Sequence, residues 1–329
     1  MNKRLDYIDS LKGFAIMLMV LCHSGLHNSA TQWIYSFHMP LFFIVSGFLF
    51  SEPNSRNFLQ YLRKKVKQLL VPFLIFSLVL CFGRRNYVDW CYILYGSRNA
   101  LAEATTFTPL WFLPCFFLST LIFRSAFYIP NDILRYVIIC IIGITGFVLS
   151  RIMPSGAIGL PWNLNVALVG VFLMLIGFAI KKIKIGPILG GAILVLGSTM
   201  AFTNLPNCLT EGNPHVEMSI GEFGNPILFT ATAAMITIGL LALWNKGENV
   251  RYLTPINKFM QWLGRNSLSV MCIHGVFLAP LSKLFKIGFL STVSHSVICI
   301  SITIITLILC RCVVPALKIY IPNLIGENG

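Results

Sequence analysis

The stretch LKGFAIMLMVLCHS, residues 11–24, is apolar enough to lie in a lipid bilayer, yet it carries Lys12 near its start and His23 near its end. Eleven positions separate the two, which on an α-helix is close to three turns. Both side chains then share one helical stripe, about 16 Å apart along the axis. Lys12 falls at the membrane edge, where its stem can snorkel to water. Alone it reads as a topology anchor. His23 falls about three turns deeper. An ionisable group inside hydrocarbon is costly, so a functional role is the first expectation, with a hydrogen-bonded packing residue as the alternative.

The rest of the chain has the same character. Its 329 residues are 56% hydrophobic and 11% charged, with a mean hydropathy of +0.78. A soluble domain needs far more charge on its surface, so the composition points to a polytopic membrane protein. Spanning helices need about 20 mostly apolar residues. Segments near 11–27, 34–50, 66–83, 110–128, 134–150, 164–180, 185–201, 226–244, 267–285 and 293–313 meet or approach this. The expected fold class is an all-α bundle of about ten transmembrane helices in one domain, residues 1–329. Asp6 and Asp9 precede the first apolar run and no small-residue cleavage site follows it, so that run is expected to be a retained helix. With a cytoplasmic N-terminus, about 19 Lys and Arg residues face inward and about 6 outward, and an even number of spans leaves the C-terminus inside as well. The formal charge of +14 lies in short loops beside apolar runs. It is therefore read as topology plus a polyanionic ligand, with no nucleic acid.

A second histidine lies in the next apolar segment, IYSFHMPLFFIVSGFLF (34–50). His38 is expected at a depth similar to that of His23, or as an interfacial anchor. Pro40 is expected to loosen this helix, and Ser46-Gly47 to let another element approach closely. The following run, RNFLQYLRKKVKQLLVP (56–72), clusters cations at the inner side. Lys64 and Lys67, three apart, share a face. They suit either anionic lipid or the phosphates of a ligand. Inner cations, a corridor and a deep imidazole together suit a ligand with a phosphorylated head and a long arm, which is the shape of coenzyme A. Most of the ten cysteines lie in apolar runs and read as small hydrophobes. Cys91 and Cys208 fall in outer loops, where they either pair or remain free thiols. No CxxC pair is present, so no metal site is expected. The outer loop near 202–225 carries Glu211, His215, Glu217 and Glu222 without Lys or Arg. It reads as a solvated loop kept free of positive charge, with a metal site as the lesser alternative.

Five motifs occur in a characteristic order: RLDYIDSLKGFAIMLMVLCHS (4–24), IYSFHMPLFFIVSGFLF (34–50), LRKKVKQLLVPF (62–73), PLWFLPCFF (109–117) and LGRNSLSVMCIH (263–274). In this order they resemble the integral-membrane acyltransferase family 3, most closely its fucose 4-O-acetylase-like branch, across nearly the whole chain. The resemblance implies a bundle of about ten helices. It implies transfer of an acyl group, expected to be acetyl, from acetyl-CoA or another acyl-CoA to a sugar hydroxyl of a surface polysaccharide or lipid-linked glycan. It also implies a multi-pass protein of a bacterial-type inner membrane, in contact with membrane lipid. The family's basic residue, ten positions, then histidine falls here on Lys12 and His23. Lysine keeps the charge of the family's common arginine but loses its bidentate fork. The paired cations of the third helix fall on Lys64 and Lys67, the Ser-Gly-Phe step on Ser46, Gly47 and Phe48, and the aromatic of the fourth helix on Trp111. Without the resemblance Trp111 reads equally as an aromatic-belt residue. His274 matches a late histidine to which no role is assigned.

The expected catalytic residues are thus His23, as general base toward the sugar hydroxyl, and His38, orienting the acceptor or stabilising the oxyanion. Lys12, Lys64, Lys67, Ser46 and Trp111 are expected to bind the acyl donor. A covalent acyl-histidine is an alternative route. An exporter of a glycan or acylated product is the main alternative function, and a non-catalytic partner of a polysaccharide machine a lesser one.

Overall fold

The computed structural model describes residues 5–26, 29–53, 57–80, 87–105, 108–153, 157–206, 215–247, 250–285 and 294–320. Cys81, Cys208, Glu211 and the basic residues Lys3, Arg4, Arg56, Arg84, Arg85 and Lys286 lie outside them. The described residues are helical apart from turns and one isolated antiparallel bridge between Glu217 and Glu222. The helices are α1 (Asp6–His23), α2 (Ser29–Tyr35), α3 (His38–Leu49), α4 (Phe58–Lys65), α5 (Val71–Leu80), α6 (Tyr87–Tyr95), α7 (Arg98–Ala104), α8 (Phe112–Ala126), α9 (Asp132–Ile152), α10 (Leu164–Ile180), α11 (Pro187–Ala201), α12 (Pro226–Gly247), α13 (Thr254–Arg265), α14 (Ser267–Phe285) and α15 (His295–Tyr320).

Among the described residues the apolar segments marked in the sequence are mainly helical, with 34–50 divided between α2 and α3 and 66–80 between a π turn and α5. Among the described residues, six helical stretches are long and apolar enough to cross a membrane: Thr108–Ala126, Asp132–Ile152, Pro161–Ile180, Pro226–Gly247, Ser267–Leu284 and His295–Ile319. The other four expected spans differ for visible reasons. α1 starts with Asp6, Asp9 and Lys12. α3 has 12 residues and α11 has 15. The run through α4 and α5 carries Arg63, Lys64, Lys65 and Lys67.

Two pairs of glycines set how the central helices cross. A Cβ on Gly13 would lie 1.9 Å from the Met260 carbonyl oxygen, and one on Gly264 would lie 1.7 Å from that of Asp9. α1 and α13 therefore touch backbone to backbone. Gly47 of α3 and Gly177 of α10 form a second such crossing, with built Cβ distances of 1.9 Å to Met174 O and 1.8 Å to Ile44 O. The close approach expected at Ser46-Gly47 is thus made by α10. Where lipid offers no hydrophobic drive between helices, such small-residue contacts let dispersion hold them.

The α1–α13 crossing also gathers charge. Asp9, buried, lies 2.8 Å from Lys12 Nζ and 3.3 Å from Arg265 Nε, and Arg265 Nη2 lies 2.7 Å from Asp6. Among the described residues two carboxylates and two cations meet here, and their pairing lowers the cost of holding them at a buried crossing.

Pro40 behaves differently from its expectation. Helix α2 stops at Tyr35 and α3 starts at His38, so Pro40 sits in a first turn, where its missing N–H costs nothing. Farther on, Val66–Leu70 form a π-helical turn between α4 and α5, just before Pro72. A proline ring clashes with the carbonyl four residues earlier, and a widened turn relieves this.

Candidate functional site

α1, α3, the α4–π turn, α8 and α14 surround a cavity of about 520 Å³, a volume typical of a small-molecule site. Three cations line it: Lys12, Lys65 and Arg124. Lys12 is already engaged by Asp9. Lys65 and Arg124 are held differently. Arg124 Cζ stacks 4.4 Å from the centroid of Tyr61, and Lys65 Nζ lies 5.5 Å from the same ring. Among the described residues no carboxylate pairs with either, and Arg124 Nε is buried without a hydrogen-bond partner. Two like charges over one aromatic ring, one of them with a buried N–H that lacks a partner among the described residues, can receive an anion.

Ser46 lines this same cavity. Lys64 and Lys67 do not; both are exposed. Neighbouring residues on a helix point about 100° apart, so Lys65 turns inward where Lys64 turns out. The π turn that starts at Val66 breaks the phase that would align Lys67 with Lys64.

A second, smaller cavity of about 50 Å³ lies against the first. His23, His38 and Trp111 line it, together with Tyr35, Thr108 and Glu217. Trp111, expected at the acyl donor, is therefore on the histidine side, buried at the start of α8. Met19, Met39 and Met271 line both cavities and form the wall between them. These are flexible, unbranched side chains that repack readily.

The hydrogen bonds of the histidines limit what each ring can do. His38 Nδ1 lies 2.9 Å from the carbonyl oxygen of Ile34, one turn back. A carbonyl only accepts, so Nδ1 carries the proton, and in the neutral ring Nε2 keeps a lone pair. The neutral ring thus has an acceptor to offer at Nε2, which suits orienting a hydroxyl. The oxyanion role expected as an option needs a donor and does not match this tautomer. His23 Nδ1 lies 2.9 Å from His274 Nε2, with the two rings nearly coplanar at 16°. His274 is fully buried on α14.

The outer loop corrects another expectation. Residues 215–225 are not a solvated segment: His215, Val216, Met218 and Phe223 are buried. Asn163 Nδ2 donates to Ser219 O, and Asn204 Nδ2 donates to Phe223 O at 3.0 Å. Phe223 packs against Phe147 and Phe229, at 5.1 and 4.9 Å between centroids. Thus pinned, the loop brings Glu217 to the histidine cavity, where the Ser219 hydroxyl donates to its carboxylate. His215 packs against Tyr35 at a tilt of 45°, 4.2 Å between centroids. The apolar residues Val216, Met218 and Phe223 among the carboxylates were the available signal that this loop folds inward. Cys91 is an exposed free thiol on α6.

Sequence reasoning missed Lys65, Tyr61, Arg124 and Glu217. Tyr61 and Lys65 do sit four apart on one helix face. Arg124 was visible only as a charge at a helix end. Compared with known protein families, residues 5–312 match the family model for acyltransferase family 3, described as an acyltransferase domain. No curated protein matches the chain.

Proposed function

The chain belongs to acyltransferase family 3, and from that premise we propose that it moves an acyl group, expected to be acetyl, from an acyl-CoA to a carbohydrate hydroxyl across two joined cavities. The observation that carries the reading is their arrangement. Lys65 and Arg124, without a carboxylate partner among the described residues, stand in one cavity, imidazoles in the other, and three methionines form the partition. All ten apolar segments are taken to span a bacterial-type inner membrane, with both termini cytoplasmic. The acceptor, a surface polysaccharide or lipid-linked glycan, reaches the histidine side from outside.

Acyl-CoA supplies the activated thioester carbonyl. Lys65 and Arg124 hold its phosphates, and Arg124 Nε gains the acceptor that it lacks among the described residues. Lys12 adds a contact through the N–H groups that Asp9 leaves over. Ser46 lies along the arm's course. The three methionines part to admit the thioester to the smaller cavity. There His38 Nε2 accepts a hydrogen bond from the sugar hydroxyl and orients it. His23 takes the hydroxyl proton as the new C–O bond forms, and passes it to the departing sulfur as the C–S bond breaks. Trp111, Thr108 and Tyr35 bring donor groups to the wall of this cavity, where the carbonyl oxygen gains charge. Direct transfer is preferred to an acyl-histidine because two acceptor imidazoles face one small space, one for each task.

The deciding experiment combines purified protein, radiolabelled acetyl-CoA and de-acylated surface glycan, with mass spectrometry of the product. One added acyl group per modified sugar is expected. Acetyl-CoA that stays intact with a competent glycan present would end the proposal.

A further inference from the structure

We infer that His274 is a positioning residue that decides which nitrogen of His23 receives the proton of the acceptor hydroxyl. The inference rests on the reading of His23 as general base. Its geometry stands independently of that reading.

His274 Nδ1 faces two backbone carbonyl oxygens, Val270 O at 3.1 Å and Met271 O at 2.9 Å. Both are one turn back on α14, so they are fixed by the helix itself. Neither has a proton to give, hence Nδ1 of His274 is the N–H. A neutral ring carries only one, and Nε2 of His274 is then a lone pair. That lone pair points at His23 Nδ1 across 2.9 Å. Two lone pairs do not attract, so Nδ1 of His23 carries the hydrogen and donates. By the same count, Nε2 of His23 is bare. Since Nδ1 is taken, Nε2 is the nitrogen that His23 has left for the cavity it lines with His38 and Trp111.

The chain of assignments runs from backbone to base. Two carbonyls set His274, His274 sets His23, and His23 shows its lone pair to the reacting hydroxyl. The logic is that of a buried group holding a catalytic imidazole in one tautomer, here with a neutral imidazole in place of a carboxylate. Because that partner carries no charge, it orients His23 without placing an anion beside the thioester. His274 touches neither substrate in this arrangement. It acts through His23.

The test uses the full-length protein in lipid, labelled with ¹⁵N-histidine, with the His23 signals identified by their loss in His23→Asn. Two variants are compared with the wild type. His274→Leu removes the acceptor. His274→Gln keeps an oxygen acceptor at similar reach. The wild type and the Gln variant are expected to show His23 protonated at Nδ1 and bare at Nε2, while the Leu variant populates the Nε2–H form. With acetyl-CoA and de-acylated surface glycan, the Leu variant is expected to lose about 10²- to 10⁴-fold in kcat, with KM for acetyl-CoA within about threefold. The Gln variant is expected to stay within about tenfold of wild type. If His23 keeps its Nδ1 proton in the Leu variant, or if the tautomer shifts and kcat does not, the inference is overturned. Nitrogen signals that behave as expected in a wild type that transfers no acyl group would uphold the His274–His23 relation and overturn the acyltransfer reading instead.

Discussion

At His23 one ring both meets His274 through Nδ1 and lines the smaller cavity. Replacing it with alanine is expected to lower acyl transfer by about 10²- to 10⁴-fold, the usual share of a general base. Binding of CoA, followed by calorimetry, should change little. His38→Leu is expected to raise KM for the glycan more than it lowers kcat, since its acceptor nitrogen orients and does not take the proton. At the other end, Arg124→Met or Lys65→Met should each weaken CoA binding about tenfold or more, the scale of one lost charge-assisted contact. Lys64→Ala with Lys67→Ala should weaken it less, because both point away from the cavity. An equal loss in the two experiments would refute the assignment of the anion seat. At this scale Lys12 and His23 were legible, because eleven positions on a helix fix a shared stripe. Lys65 was not, because its inward turn depends on a local π turn and on the Tyr61 ring, neither of which any simple period encodes.

Among the helices, the crossings are set by backbone contact. A methyl at Gly264 would meet the Asp9 carbonyl at 1.7 Å, and one at Gly177 would meet that of Ile44 at 1.8 Å. Gly264→Ala and Gly177→Ala are each expected to destabilise the protein by about 1–3 kcal/mol, the cost of forced overpacking. Thermal unfolding in detergent measures this directly. Gly191→Ala is the control, because nothing lies within 4 Å of its built Cβ; it should change stability by less than about 0.5 kcal/mol. Apolar runs gave the long helices readily, since hydrocarbon demands a continuous stretch of such residues. α13 was missed for the same reason: its 12 residues are amphipathic, and its glycine contact and Arg265 ion pairs with α1 show why it is there. α6 and α7 were likewise too short for a span criterion.

For the whole molecule, the two cavities and their common wall make a single prediction. Met39→Trp should block the partition while leaving the larger cavity's cations in place, so CoA still binds and product formation falls. If transfer continues at the wild-type rate, the acyl group takes another course. Orientation has its own check. Cys91, exposed on α6, should react in intact cells with a maleimide that cannot cross membranes, as an outward-facing loop requires. The sequence showed the charge asymmetry behind that orientation, but not that residues 215–225 fold back over the histidines. That depends on hydrogen bonds from Asn163 and Asn204, far along the chain from their partners. The ion-paired cluster at the α1–α13 crossing bears on how the chain is made. Asp9 meets Arg265 only after some 250 further residues have left the ribosome, and His23 waits as long for His274. A chain whose synthesis stops before the last helices are made therefore holds Asp6, Asp9 and Lys12 without Arg265, and His23 without the imidazole that meets it.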